Sequence, residues 1–280
     1  MKKTIHHTRS GTKDASKVFR KLRTCSRTFF HILNNEFGHP KELEERAADS
    51  LAGGILQEGH QCGMLWGASL AVGAEAHRKC KDPNEAIAVA IKATQYIMNS
   101  FMKNEHTVNC RDITHCDFSS KLSFAKYMIS GRFLYCFKMA DRWAPEAVEA
   151  AINGLSYNEI DEYPVSISCA TEVARKMGAS AEEMIMVAGF AGGLGLSGAA
   201  CGALSAAIWM KSLSWCREKS KKSSLKNPDA KKTLETFYQA TGSKIRCNDI
   251  TGLNFNTIDE HTNFIVNGGC DMIMKTLAKS

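Results

Sequence analysis

Apolar side chains recur with helical spacing close to the start of the chain. From Val18 to Leu33 they fall on one face of a 3.6-residue repeat, and the pattern stops before Gly38 and Pro40, residue types that end helices. Cys25 lies on the same face. We therefore predict one helix in which the Cys25 thiol points into the core.

Later segments predict helices in matching pairs. Residues 42–56 and 181–194 have helical patterns, and each pattern ends in a glycine-containing stretch. Asp82 and Asn227 each precede a proline, as an N-cap residue does when proline takes the first helical position. The hydrophobic share is 44% with only 8% aromatic residues, which suits helices packed on helices. These patterns predict an all-α fold with about five to six helices in each half.

One half of the chain is a degenerate copy of the other. LAGGILQEGHQCGMLWGA, beginning at Leu51, matches FAGGLGLSGAACGALSAA, beginning at Phe190, and CRDIT from Cys110 recurs as CNDIT. The repeat predicts two tandem modules, residues 1–157 and 158–280, each long enough to bury a core. If the modules pack face to face, a pseudo-twofold axis relates them.

Four cysteines per module keep their register although most positions between them have drifted. The repeated residues, eight of the eleven cysteines, are Cys25, Cys62, Cys110 and Cys136 in the first module and Cys169, Cys201, Cys247 and Cys270 in the second. Packing alone would have allowed alanine, valine or serine at some of them. We predict that all eight are metal ligands, since four thiolates suit an iron–sulfur cluster, although zinc takes the same set. The unrepeated Cys80, Cys116 and Cys216 are candidates for exposed, oxidisable thiols.

Glycines accompany the second cysteine of each module. Gly59 and Gly63 stand four residues apart beside Cys62, and Gly198 and Gly202 repeat them. On a helix such glycines form a ridge that lets another backbone or an inorganic group approach closely. We predict that these four glycines line the cofactor, with close helix packing as the alternative.

One long uncharged stretch, Met184 to Met210, has the length of a membrane span. Its glycines break a single helix, and the matching stretch of the first module is polar, so we predict two buried helices joined by a glycine turn and no membrane insertion. The basic N-terminus is followed by no apolar stretch, which favours a cytoplasmic location. Thiols there are normally reduced, which favours metal binding or redox chemistry over structural disulfides.

The formal net charge is +7, concentrated in Lys17 to Arg27 and in Lys211 to Lys232. No zinc-finger spacing, recognition-helix pattern or interleaving of aromatic and basic residues accompanies it. We therefore predict no nucleic-acid partner and interpret the basic runs as solvated helix faces.

The order of a lone cysteine, a Cys-Gly motif and two further spaced cysteines resembles the redox-active protein family named for its C_GCAxxG_C_C pattern. The resemblance covers nearly the whole chain, twice. The family motif reads CGMLWG in the first module, with Met64 for alanine, and CGALSA in the second, with Ala206 for the last glycine. The resemblance implies a helical module that holds four cysteines around an iron–sulfur cluster and has a redox role.

Three functions remain open at this point. The leading hypothesis is electron transfer through one iron–sulfur cluster per module, with a redox protein as partner and a second copy of the chain as a further candidate partner. The alternatives are metal-free thiol–disulfide chemistry and a zinc-stabilised interaction module. The chain has no Cys-x-x-Cys, which counts against both. No Ser-His-Asp grouping, phosphate loop or dinucleotide motif identifies a substrate site.

Overall fold

The computed structural model describes residues 14–156, 165–219 and 223–280, and their regular structure is helical, with no strand. The helices of the first module are α1 (Ala15–Leu22), α2 (Cys25–Phe37), α3 (Glu42–Ala47), α4 (Gly63–Lys79), α5 (Pro83–Asn104), α6 (Cys110–Thr114), α7 (Lys121–Ile129) and α8 (Phe133–Leu155). Those of the second are α9 (Cys169–Lys176), α10 (Ala181–Met186), α11 (Gly202–Glu218), α12 (Pro228–Thr241), α13 (Cys247–Thr251), α14 (Ile258–Val266) and α15 (Asp271–Lys279). Short 3₁₀ helices span Ala48–Leu51, Ala188–Phe190 and Ser224–Lys226. The predicted all-α class is confirmed.

The described residues contain more helices than the five to six predicted for each module. The long first helix is in fact two, because Arg23 takes a left-handed conformation (φ +71°) that ends α1. Cys25 is consequently the first residue of α2 and not a mid-helix residue. The predicted caps of α5 and α12 are confirmed: Asp82 accepts from the N–H groups of Asn84 and Glu85, and Asn227 from that of Asp229.

A left-handed turn replaces the end of each second predicted helix. Residues 53–57 all have positive φ, between +48° and +77°, and residues 192–196 repeat this between +56° and +86°. Left-handed backbone costs roughly 1–2 kcal/mol per non-glycine residue. Burial of Ile55 and Leu194, both fully inaccessible, offsets that cost. The helical pattern ends at these turns because the backbone reverses hand there.

Glycine is required where each turn meets the next loop. A Cβ on Gly54 would lie 2.3 Å from the backbone N of His60, and one on Gly193 would lie 2.6 Å from that of Ala199. The chain therefore folds back on itself just before the second cysteine of each module.

The two modules share one continuous core in which they exchange equivalent contacts. Helix α4 packs on α10, and its counterpart α11 packs on α3. Gly73 of α4 comes so close that its Cβ would lie 2.5 Å from the carbonyl oxygen of Ile185. The buried amide of Gln61 donates to Gly193 O (3.2 Å) and accepts from Ala200 N–H (3.2 Å). This reciprocal packing agrees with the predicted pseudo-twofold arrangement.

The predicted boundary after residue 157 lies outside the described residues. The uncharged stretch from Met184 is divided, as predicted, among α10, a 3₁₀ turn, the left-handed turn and α11. Among the helices of the described ranges, none combines the length and hydropathy of a membrane span.

Candidate thiol centre

The four repeated cysteines of the first module line one cavity of about 290 Å³. Most of its remaining wall is apolar, formed by Phe19, Met64, Phe118, Tyr127, Met128, Phe133, Phe137 and Met139, among others. Cys62 and Cys110 are buried, whereas Cys25 and Cys136 are partly exposed. The cavity thus brings together four thiols that are spread over 112 positions of the sequence, from residue 25 to residue 136.

Seven of the eight cysteines stand at the start of a helix. Cys25, Cys110, Cys169 and Cys247 are first residues of α2, α6, α9 and α13, and Cys62, Cys201 and Cys270 are N-cap residues of α4, α11 and α15. Cys136 is the fourth residue of α8. The N-terminus of a helix carries partial positive charge and unpaired N–H groups, so it stabilises a thiolate. The apolar periodicity predicts Cys25 in the middle of a helix, whereas the structure places it at the helix start.

In each module an isolated β-bridge pairs the residues that precede the second and third cysteines, Gln61 with Asn109 and Ala200 with Arg246. In the first, Cys62 N–H donates to Val108 O (2.7 Å) and Cys110 N–H donates to His60 O (2.6 Å). In the second, Cys201 N–H donates to Ile245 O (2.8 Å) and Cys247 N–H to Ala199 O (2.6 Å). The two bridges give both modules the same backbone frame for this pair of thiols.

Backbone N–H groups are directed at the first sulfur of each module. Gly53 and Ser26 hydrogen-bond Cys25, and Gly192 and Ala170 hydrogen-bond Cys169 in the equivalent way. The left-handed turns therefore have a role at the site, since Gly53 and Gly192 are their first residues. Hydrogen bonds of this kind stabilise negative charge on sulfur.

A threonine in each module hydrogen-bonds the backbone of the third cysteine. The Thr114 hydroxyl donates to the carbonyl oxygen of Cys110 (2.7 Å), and the Thr251 hydroxyl donates to that of Cys247 (2.8 Å). Each hydroxyl also acts to lower the pKa of its cysteine, against the larger effect of burial. Sequence analysis did not single these residues out, although the repeat of CRDIT as CNDIT contained them.

Cys25 and Cys62 form a hydrogen-bonded pair. The hydrogen bond from Cys62, supported by backbone N–H groups, lowers the pKa of Cys25 to about 7 against the opposing effect of burial. The same hydrogen bond, together with burial, holds the pKa of Cys62 well above its usual range. Of the two thiols, Cys25 is therefore the one that ionises more readily.

The other thiols favour their protonated forms. Burial raises the pKa of Cys136 to about 11, and it raises those of Cys247 and Cys270 to about 12. Burial and the charge of Cys25 raise the pKa of Cys110 as well. In the second module burial also raises the pKa of Cys169, the counterpart of Cys25. A lowered pKa at the first cysteine is therefore found in the first module and not at the equivalent position of the second.

Mutual effects also connect the four cysteines of the second module. After burial, the charge of Cys169 is the largest cause of the raised pKa values of Cys201, Cys247 and Cys270. Negative charge on one of these thiols therefore opposes ionisation of the others, as it does in the first module.

A tyrosine distinguishes the first module. The Tyr127 hydroxyl lies 3.6 Å from Cys136 Sγ, and its ring contacts Phe118 and Phe133. Tyr127 is the seventh residue of α7, and the seventh residue of α14 is Phe264, which has no hydroxyl. Only the first module's fourth sulfur has this hydrogen bond among the described residues.

The predicted glycines have two different roles. Gly63 lies against the thiols: a Cβ there would be 2.5 Å from Cys25 Sγ, and one on Gly202 would be 1.8 Å from Phe190 O. Gly59 and Gly198 are not on the helical ridge as predicted, because both have positive φ (+85° and +72°) in the loops before α4 and α11.

Those two loops border a larger cleft, of about 920 Å³, between the modules. It is lined on one side by His60 and Asn109 and on the other by Ala199 and Arg246, residues next to the second and third cysteines of the two modules. Burial lowers the pKa of His60 to about 4, so this imidazole is neutral at physiological pH. Because its lining residues neighbour cysteines of both modules, the cleft is adjacent to both thiol sites.

The three unrepeated cysteines differ from the predicted exposed thiols. Cys116 and Cys216 are buried, with 0% and 1% of their surface accessible, and only Cys80 is partly exposed. Burial raises the pKa of Cys80 to about 11, which disfavours its reactive thiolate. The exposure predicted for Cys116 and Cys216 was wrong: Ser123, at the start of α7, contacts the Cys116 sulfur, and Arg46, Asp49 and Ser224 lie near Cys216.

Across the described ranges, no three His, Cys, Asp or Glu side chains are gathered closely enough to hold a single metal ion. The thiols of the first module are arranged around a cavity instead.

Comparison with protein-family models found one match, which occurs twice. The model described as "Putative redox-active protein (C_GCAxxG_C_C)" matches residues 23–149 and residues 164–280. The two matches correspond to the two modules of the internal repeat. Searches of curated proteins and of solved structures found no match to the chain.

Proposed function

The chain belongs to the C_GCAxxG_C_C family of redox-active proteins, and from this premise we propose that it transfers electrons through iron–sulfur clusters, one held by four cysteines in each module. The observation that carries the proposal is the first module's cavity, which four thiols line together. Four sulfur ligands are the usual requirement of such clusters. The proposed ligands are Cys25, Cys62, Cys110 and Cys136, and in the second module Cys169, Cys201, Cys247 and Cys270.

The arrangement of the sulfurs favours a cluster over zinc. A single zinc ion needs four sulfurs at about 2.3 Å from one point. A cluster of several irons occupies volume and takes its ligands around its edges, which suits thiols that border a cavity of about 290 Å³. Bound there, it would supply one-electron exchange.

The protein's own groups prepare the site for negative charge. Helix N-termini and the N–H groups of Gly53 and Ser26 are directed at the sulfurs, and aromatic side chains form much of the surrounding wall. Because burial holds most of these thiols protonated, loading the site must release their protons, which makes metal binding depend on pH. Among the described residues, a tyrosine hydroxyl, that of Tyr127, bonds a sulfur in the first module and none does so in the second, so the two sites are expected to differ in reduction potential.

The test is chemical analysis of protein purified without oxygen. We expect iron and acid-labile sulfide in matching amounts, and visible absorbance that bleaches with dithionite. Zinc without sulfide would contradict the proposal in favour of a structural module, and a colourless protein without metal would leave thiol chemistry as the function.

A second candidate function rests on the Cys25–Cys62 pair. A thiolate with a hydrogen-bonded thiol beside it is the arrangement of a dithiol that attacks a disulfide. Cys25 would form a mixed disulfide with the partner and release one partner thiolate, and Cys62 would then displace the second while an intramolecular disulfide forms.

Alkylation of the metal-free protein measures the acidity on which this candidate depends. We expect Cys25 to react with iodoacetamide with a midpoint near pH 7, whereas Cys169, its counterpart at the start of α9, reacts only at higher pH. Peptide mass spectrometry after brief labelling at a series of pH values gives both profiles. Equal midpoints would contradict the difference between the modules.

The same ionisation links pH to stability. The pKa of Cys25 falls from 9.0 to about 7 on folding, so its thiolate stabilises the fold fully above pH 9. This contribution decreases as the pH falls and is lost below about pH 7.

A further inference from the structure

Helix α7 presents an apolar surface that no other part of the described chain covers. Of its nine residues only Tyr127 is buried, whereas Leu122 and Ile129 are 82% and 88% exposed. Phe124 and Met128 are also more than two-fifths exposed. A contiguous apolar patch of this kind is characteristic of an interaction site.

The charge around this patch has one sign. Residues 118–140 contain Lys121, Lys126, Arg132 and Lys138 and no acidic residue. None of these four cations has an ion-pair partner among the described residues. We call residues 118–140 the basic face.

The segment of the second module that aligns with residues 110–140, and so includes the counterpart of the basic face, has the opposite net charge. Residues 247–274 contain Asp249, Asp259, Glu260 and Asp271 and no lysine or arginine. Apolar side chains are exposed there too: Val266 at 60% and Met272 at 76%. Asp271 is paired with Lys275, and the other three acids have no ion-pair partner among the described residues. We call residues 247–274 the acidic face.

We propose that the basic face of one molecule binds the acidic face of a second copy of this chain. Each face combines exposed apolar side chains with a single sign of charge, and the two signs are complementary, which sets the register of such contacts and suppresses like-with-like pairing. An anionic membrane would occupy the basic face but would leave the acidic face, with its exposed Met272, without a partner.

The contact joins two thiol sites of different molecules. Tyr127 and Met128 of the basic face wall the first module's cavity, and the acidic face contains Cys247 and Cys270 of the second module. If the proposed redox function holds, electrons could pass from one molecule to the next by this route. The association itself requires no cluster, so it can be tested independently. Because the joined faces are unlike, the contact closes into a ring or grows into an open chain.

Sedimentation velocity over a wide range of protein concentration tests the proposal. We expect the average mass of the full-length protein to rise with concentration, and added salt to weaken the association by screening its ionic part. A wild-type protein that stays monomeric at every concentration would overturn it. Binding of that monomer to vesicles of anionic lipid would assign the basic face to a membrane instead.

Charge reversal identifies the faces. A basic-face variant, Lys121→Glu with Lys126→Glu, and an acidic-face variant, Asp249→Lys with Asp259→Lys, should each associate at least about tenfold more weakly than wild type. Mixed together they should recover wild-type association, because each then offers a face that complements the other. Failure of the mixture to associate would overturn the proposed pairing.

Two further variants keep the result interpretable. Lys231→Glu with Lys232→Glu in α12 makes the same change of net charge as the basic-face variant but lies outside both faces, and it should leave association unchanged. Ile129→Ser removes an exposed apolar side chain with little effect on folding, and it should weaken association with the charges intact. Equal weakening by the α12 variant would show that only net charge matters and would contradict the proposal.

Discussion

Cys110→Ser is expected to remove about half of the iron and acid-labile sulfide, with the matching share of visible absorbance, because it leaves the cluster of the first module with three sulfur ligands. The Cys110 thiol lines the cavity together with the other three cysteines of its module. The second module has its own four cysteines and should keep its cluster. Metal analysis and the dithionite-bleachable spectrum of anaerobically purified protein measure both quantities.

Cys116→Ser is the matched control. Cys116 is only six residues further along the chain and is fully buried, but its sulfur accepts a hydrogen bond from Ser123 Oγ at 3.8 Å. Its replacement should leave iron, sulfide and spectrum unchanged, and Cys247→Ser should remove the other half. Equal losses in the Cys110 and Cys116 variants would mean that the loss reflects damage to the fold and not removal of a ligand.

Gly67→Ala is expected to destabilise the protein by about 3 kcal/mol or more, although alanine in place of an exposed helical glycine normally stabilises by about 1 kcal/mol. A Cβ at this position would lie 1.9 Å from the carbonyl oxygen of Ser26, which belongs to the backbone of α2 and cannot turn away. Helices α2 and α4 would have to separate, and with them Cys25 and Cys62. Denaturant unfolding of the variant and the wild type measures the loss.

Gly242→Ala serves as the comparison for Gly67→Ala. Gly242 has φ +59° at the end of α12, and a Cβ added there would meet no atom within 4 Å, so alanine adds only the cost of left-handed backbone, roughly 1–2 kcal/mol. A Gly67 variant no less stable than the Gly242 variant would show that α2 and α4 separate easily. The second module has Ala206 at the position of Gly67, which is where it departs from the family motif.

Several features of the fold follow from local sequence. The caps at Asp82 and Asn227 are confirmed because a cap depends on residues within one turn of the helix start. The repeat predicted two modules, and the family matches to residues 23–149 and 164–280 agree with it. The assignment of the eight cysteines as metal ligands stays a prediction.

The positions of the thiols on their helices could not be predicted in this way. Apolar periodicity placed Cys25 within a helix, but Arg23 ends α1 and makes Cys25 the first residue of α2. Likewise, the pattern of residues 42–56 continued through a segment that takes a left-handed turn. Periodicity describes which side of a helix is apolar, and it contains no information about where the backbone reverses hand.

By itself, the sequence determined that this protein is all-α, that it is built from two copies of one module, and that each copy keeps four cysteines. The tertiary structure alone decided that the first module's four thiols border one cavity, that Gly53 and Gly192 direct N–H groups at sulfur, and that Cys116 is buried. The physical reason is the range of the interactions. Helix preference and capping depend on neighbouring residues, whereas a left-handed turn and a shared cavity are stabilised by contacts between distant segments.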